Sequence, residues 1–333
     1  MSDVPYTKGL HQLTDHCYAW LVPDGTWGWS NAGLVTGDSE SLLVYTLFDV
    51  PMTRDMLDAL RPLTGRRPIK TVVNTHANGD HWFGNELVAD AQIIASRETA
   101  AEMASNGPDL ITGVLRQDGA VGRFARHIFA PFDFDGITPT PANRTFDREL
   151  TVEVGGNQVR IIKLGPAHTA GDSIVLVPEE GVLYAGDLLF IGGTPISWAG
   201  PVSNWIRACQ YMIDCDADYI VPGHGPVTDN NGVRGVKDYL EYVQQEAAER
   251  HARWMSAEEA MRDISLGRFA QLDERGRLAQ NVLAVYYELD PGLERTDTVE
   301  VFRRIGALEG LERLPCSACS RRYKHALRSR LVT

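Results

Sequence analysis

Four short polar motifs constrain this chain more than any other feature, because each follows directly on a β-run. IKTVV (Ile69–Val73) leads into NTHANGDHWFGN, which displays His76, Asn78, Asp80 and His81. VRIIKLG leads into PAHTAGD with His168, GVLYAG leads to Asp187, and DYIV leads into PGHG with His224. Gly79, Gly84, Gly165, Gly171, Gly186, Gly223 and Gly225 stand among them and permit the tight turns and close backbone approaches such loops need. Loops at one edge of layered α/β proteins collect functional residues. Four histidines and two aspartates gathered there offer imidazole and carboxylate without thiolate, a donor set suited to zinc, iron or manganese. A lone histidine is more often a satisfied core or surface residue. Four of them, each placed after a strand, are not accounted for in that way.

The surrounding pattern supports a layered α/β fold. SLLVYTL (Ser41–Leu47), IKTVV, AQIIAS (Ala91–Ser96) and DYIVPGHG (Asp218–Gly225) have strand length and composition. LTVEVGGNQVRIIKLG reads as two strands around a Gly-Gly-Asn turn, and SIVLVPEEGVLYAGD as two around Glu-Glu-Gly. TRDMLDALRPL and HWFGNELVADA are expected to be helical, so sheets covered by helices follow. Residues 98–145 resemble an insertion, helical and then irregular, of the length that often serves as a lid. From residue 233 onward strand signals vanish. VKDYLEYVQQEAAERHARWM, SAEEAMRDISL, RLAQNVLAVYYEL and DTVEVFRRIGALEGL read as four helices. The expected organisation is therefore a layered domain over 1–232 and a helical C-terminal region over 233–333, free to complete the outer layer, cover a pocket or make a dimer contact.

Charge and composition narrow the partners. With 32 basic against 44 acidic residues the net charge is −12, which argues against a nucleic-acid partner. The basic tail Arg321–Arg330 reads as a solvated helix face or frayed end. There is no run of eighteen apolar residues and no secretory layout at the N-terminus, so a cytoplasmic protein with no membrane partner is expected. The five cysteines, an odd number, read as reduced thiols, with Cys316 and Cys319 a free pair rather than half a zinc knuckle.

The motif series H-x-x-x-D-H, then His, Asp and a GHG turn, resembles the metallo-β-lactamase-fold metallohydrolases over roughly residues 10 to 230. That resemblance implies a four-layer αββα sandwich with metal at the sheet edges, carrying here a helical C-terminal extension. It implies that Asp80, His81 and His224 hold one metal ion, that His76 and His168 belong to a second site, and that Asp187 bridges the two. Zinc is the implied cofactor, one or two ions per chain, with iron or manganese compatible. Two positions depart from the family pattern. Asn78 stands where a second histidine is usual, and a carboxamide is a weak neutral ligand. Three outcomes remain open: a weakened second ion, a single ion, or Asn78 turned toward substrate. Tyr45 stands where relatives commonly carry an aspartate beneath the metal loops, a loss of the kind that can cost about 10–100-fold in affinity or activity.

The implied chemistry is hydrolysis. A divalent ion with an open position brings its water's pKa to about 7, and Asp80 would orient that water and take its proton. An ester, thioester, lactone or amide of a small substrate fits this scheme, and no G-x-S-x-G nucleophile motif is present. Trp27, Trp29 and Trp82 are candidate substrate-binding residues, since aromatic walls suit a flat or apolar ligand. HANGDH is also similar to the branch holding aromatic polyketide cyclases and thioesterases, which makes metal-assisted ring closure the alternative. A non-haem iron redox enzyme on the same scaffold is a third reading.

Overall fold

The computed structural model describes residues 3–311, so Cys316, Cys319 and the basic tail lie outside the described residues. The strands are β1 (Gly9–Gln12), β2 (Cys17–Leu21), β3 (Ala32–Thr36), β4 (Ser41–Val44), β5 (Ile69–Val73), β6 (Gln92–Ser96), β7 (Arg144–Phe146), β8 (Glu149–Val154), β9 (Asn157–Lys163), β10 (Ser173–Val177), β11 (Val182–Phe190) and β12 (Tyr219–His224). The helices are α1 (Val50–Thr64), α2 (Arg97–Ser105), α3 (Pro108–Leu115), α4 (Gly119–Phe129), α5 (Val202–Asp214), α6 (Asn230–Ala252), α7 (Ala257–Asp263), α8 (Leu278–Leu289) and α9 (Thr298–Leu308).

β1 to β7 form one sheet in chain order, antiparallel as far as β4 and parallel beyond it. The second sheet runs β12-β11-β10-β9-β8, with only the β11–β12 pair parallel. The sheets face each other across one apolar core that takes Leu42, Val72 and Ile94 from the first and Val159, Val175 and Val221 from the second. The Tyr184 hydroxyl crosses the gap to the Tyr18 and Leu34 carbonyls, and its ring lies where a Cβ on Gly33 would stand. A side chain at 33 would therefore force the sheets apart. α1 buries Met56 and Leu60 into this core, while α5, α6 and α8 join a second apolar cluster with β10 and β11. This is the mixed α/β two-sheet architecture with a helical C-terminal part.

Three local expectations change. HWFGNELVADA forms two 3-10 stretches, 79–81 and 83–88, instead of an α-helix. Its Gly84 packs directly on Thr53, and the buried Asn85 amide bonds to Asn74, Thr46 and the Thr140 carbonyl, so tertiary contacts override the helical pattern. The SLLVYTL strand stops at Val44 because Tyr45 takes a φ of 71°. Asp187 lies within β11 rather than past its end, since the strand continues beyond an irregularity at Gly186, whose φ is 57°. β1, β2, β3 and β7 carry no strong periodicity and went unread in the sequence. No helix among the described residues is long and apolar enough to cross a membrane. Cys17, Cys209 and Cys215 are free thiols.

Candidate metal centre

The ends of β5, β9 and β12, with the middle of β11, bring the motif residues to one point between the sheets. Two triads form there, His76 with His168 and Asp187, and Asp80 with His81 and His224, all six residues buried and each triad's ligand atoms within 4.8 Å of one another. Asp187 touches both groups. Its carboxylate is 3.0 Å from His81 Nε2, 3.4 Å from His168 Nε2, 3.5 Å from His224 Nε2 and 3.6 Å from His76 Nε2. Asp80 Oδ2 lies 3.2 Å from His224 Nε2 and 3.6 Å from His81 Nε2.

These spacings fit cations. Ligands about 2.1 Å from a tetrahedral ion stand about 3.4 Å apart. The Nε2 atoms of His76, His81 and His168 and Asp187 Oδ1 are buried with no hydrogen-bond partner. An orphaned buried polar atom costs about 1–3 kcal/mol, so four of them converging on one centre call for divalent ions between them. The remaining ring nitrogens set orientation. His168 Nδ1 donates to the Ile196 carbonyl at 2.6 Å, which leaves Nε2 as the lone-pair atom facing Asp187. His76 Nδ1 meets Thr75 Oγ1 at 3.1 Å, and His224 stacks on Phe190 with centroids 5.2 Å apart.

Electrostatics follow from the same crowding. Burial works against the Asp187 charge, but His224, His81 and His76 outweigh it and hold the carboxyl well below its usual range. Burial likewise opposes the Asp80 charge, and His81 and His224 nonetheless hold its pKa down. His224 faces both carboxylates; against the burial penalty, Asp187 and Asp80 raise it to about 10. Burial, helped by the neighbouring His76 and His81 and opposed by Asp187, pushes His168 down to about 3, so it stays neutral at ordinary pH.

The loops are held from beneath by polar side chains, two of them in the motif itself. Asn74 Nδ2 donates to the His81 carbonyl at 2.7 Å, Trp82 Nε1 to the Ala77 carbonyl at 3.0 Å, and Ser30 Oγ to the Asp80 carbonyl at 2.5 Å. Two of the motif's three asparagines, 74 and 85, are thus clasps. Tyr45 sets its ring edge-on to His81 at 4.9 Å, and its hydroxyl points into the Thr75–Gly186 corner without a well-aligned partner. Among the described residues no carboxylate reaches His81 Nδ1, which has no hydrogen-bond partner there. A glycine is required at 223, where a Cβ would stand 2.0 Å from Asp187 Oδ1. Gly223→Ala is expected to displace that carboxylate and weaken metal binding about 10-fold or more while the far side of the core stays intact; metal titration beside a thermal melt checks it.

Above the centre opens a cavity of about 340 Å³. Asn78, Asp80, His168, Asp187 and His224 form its polar floor, while Trp27, Phe48, Phe83, Phe129, Trp198 and Phe302 supply aromatic wall. Trp27 therefore lines the cavity. Trp29 packs instead on Phe132 at 4.7 Å, and Trp82 is wholly buried, so the structure brings neither to the cavity. Sequence reasoning missed Glu102, Thr169, Arg277, Gln280 and Phe302, all of which line it. Thr169 adjoins His168 and could have been inferred. Arg277 stacks on Trp27 at 4.2 Å across the length of the chain, a contact with no local signature. The C-terminal helical region thus walls the cavity.

Asn78 also faces the cavity, and no hydrogen bond to its side chain occurs among the described residues. Asn78→His is expected to tighten the ion beside His76 and His168 by about 10-fold or more, read as a second tight equivalent in a zinc titration. An unchanged stoichiometry and affinity would show that position 78 is out of reach of the ion.

Comparison with known proteins agrees with this geometry. The model of the metallo-beta-lactamase superfamily matches residues 25–224, and the chain belongs to that superfamily. Members of this superfamily are mostly metal-dependent hydrolases. Among curated relatives, the 2,4-dinitroanisole O-demethylase subunit alpha of Nocardioides sp. is 27% identical over 212 residues, covering 62% of this chain and 54% of that protein. The beta-lactamase-like protein 2 homolog of Caenorhabditis elegans is 25% identical over 215 residues, covering 64% and 61%. The chain accordingly matches little more than half the length of these relatives. A stereoselective inverting sec-alkylsulfatase from Pseudomonas sp. superposes with a TM-score of 0.64 at 18% identity over 88% of this chain and 53% of its own. A metallo-beta-lactamase from Pontibacter korlensis gives 0.54 at 18% identity, covering 71% and 99%. These structural likenesses establish the fold.

Proposed function

We propose that this chain is a metal-dependent hydrolase that cleaves an ester-type bond in a small substrate bearing an apolar or aromatic group. The observation that carries the reading is the pair of buried triads sharing Asp187 on the floor of an aromatic-walled cavity. Divalent ions, zinc foremost, supply Lewis acidity and an acidified water when bound there. His76, His168 and Asp187 would hold one ion, and Asp80, His81 and His224 the other.

The protein's own groups do the rest. Asp80 lines the cavity and stays ionised beside His224, so its carboxylate orients the attacking water and accepts a proton from it. The unpartnered Asn78 amide is placed to donate to a substrate oxygen, the third of the roles open to it. Trp27, Trp198 and Phe302 hold the apolar part of the substrate and exclude bulk water. α3 contributes Leu110, Ile111 and Val114 to the wall and leaves Leu110 half exposed, so the inserted segment serves as the removable side of the pocket. The O-demethylase subunit among the relatives is named for an oxygen-linked aromatic compound, which accords with a scissile bond to oxygen beside an aromatic wall.

Asp80→Ala tests the reading. Release of acid from aryl ester and thioester probes should fall by more than about 100-fold, the scale of an essential proton-transfer group, with the metal-free protein still folded. Full activity in that variant refutes the assignment.

A further inference from the structure

The loop between β11 and α5 encloses His168. Ile196 accepts its Nδ1 proton at 2.6 Å, while Trp198 N and Ala199 N donate to the His168 carbonyl at 2.8 and 3.1 Å. Ser197 Oγ and Gly200 N both donate to the Ala167 carbonyl, at 3.1 and 2.9 Å. The direction of the His168 ring therefore depends on where this loop holds the Ile196 carbonyl.

The loop in turn is gripped by residues some eighty positions later in the chain, just before and within α8. Thr194 N and Thr194 Oγ1 donate to the Asp273 carbonyl at 2.9 and 2.7 Å, and Arg277 Nη1 donates to the Thr194 carbonyl at 2.9 Å. Asn281 spans Ile196 from both sides: its Nδ2 donates to the Pro195 carbonyl at 2.8 Å and its Oδ1 accepts from Ser197 N at 2.9 Å. Gln280 Nε2 adds a bond to the Ser197 carbonyl at 2.8 Å. Asn281 is wholly buried, so these bonds are not exchanged for water. An amide that both donates and accepts across one residue fixes the two peptide planes flanking it, and with them the aim of the Ile196 carbonyl.

We propose that Asn281 is a positioning residue for the metal centre: through the Pro195–Ser197 loop it fixes the tautomer and direction of His168, so that the C-terminal helical region sets the affinity of the His76–His168–Asp187 site. The proposal rests on the reading of His168 as a metal ligand. Outer hydrogen-bond partners of metal-bound imidazoles carry about 10–100-fold in affinity, which sets the size of the effect.

The test compares Asn281→Ala with Tyr239→Phe. Tyr239 OH accepts from the same Asn281 amide at 3.0 Å and makes no hydrogen bond to the loop among the described residues. In N281A a competition titration with zinc should show one of two affinities weakened about 10-fold and the other unchanged. In the metal-free protein the histidine side-chain nitrogen NMR signals of His168 should move from a single Nδ1-protonated tautomer toward a mixture. Y239F should leave both readouts at the wild-type values. Wild-type affinities and tautomer in N281A overturn the proposal, and so does an equal loss in Y239F, which would mean general packing. If N281A does not fold, Gln280→Ala, which removes the bond to the Ser197 carbonyl and leaves the Asn281 bonds in place, should give the same changes at smaller size, and their absence overturns the proposal. A wild-type protein that binds no zinc sinks the metal-site reading instead, and the tautomer comparison then still decides whether the clasp acts on His168.

Discussion

Asp187→Ala is expected to abolish tight binding of both ions and to reduce hydrolysis by more than about 100-fold, beyond what outer partners of metal ligands usually carry. The Asp187 carboxylate faces both triads, lying 3.0 to 3.6 Å from all four imidazoles. Its removal leaves one triad with two histidines and no anion, and the other without the bridge. The His224 ring provides a second readout that does not depend on activity. Burial works against its protonation, and Asp187 and Asp80 overcome that to raise it to about 10. In the metal-free variant Asp80 alone opposes burial, so the His224 titration should move down toward the ordinary value of about 6.5. Two tightly bound ions in Asp187→Ala, or an unmoved His224, would contradict this account of the site.

Chelation is expected to have the second-largest effect. Ions that bind only the folded chain at about a thousand times their dissociation constant add about 4 kcal/mol. An unfolding entropy of about 2.1 cal/mol/K per residue gives about 1.4 °C per kcal/mol for 333 residues, so removing two such ions predicts a fall in melting temperature of about 10 °C. The sign of the pH dependence follows from His224. It must lose its proton to bind a cation, so metal affinity climbs as the pH rises toward about 10. In the metal-free protein the raised His224 pKa contributes stability that is complete below its unfolded value, about 6.5, and fades as the pH approaches 10. Both trends widen the gap between loaded and stripped protein from pH 6.5 to 9. Paired melts with zinc and with chelator across that interval measure it; a gap that narrows contradicts the assignment of His224 as a ligand.

The sequence by itself determined the donor set and its place in the chain. Histidines and aspartates set directly after β-runs are a local signal, because the strand period and the turn-forming glycines are both written within about ten residues. His76, Asp80, His81, His168 and His224 were legible for that reason, Asp187 was legible from the Gly186 beside it although it lies within β11, and so were β5, β6 and β8 to β12, whose apolar runs are bounded by clear turns. The first strands of the molecule were not, since short runs such as Cys17–Leu21 and Ala32–Thr36 are buried throughout and show no alternation.

Only the tertiary structure decided the rest. It separated the tryptophans, giving Trp27 to the cavity, Trp29 to Phe132 and Trp82 to the core. It also turned a helical pattern after the first motif into 3-10 stretches, because the Asn85 amide and the Gly84–Thr53 contact need that path. The C-terminal helices became a cavity wall and a grip on the His168 loop through Arg277, Gln280 and Asn281. Such contacts join residues far apart in the chain, and their energy depends on burial and mutual geometry that exist only once the sheets have packed. Residue type and spacing near a strand end fix what a site can be made of, whereas the shape of its pocket and the aim of its ligands come from the rest of the molecule folding around it.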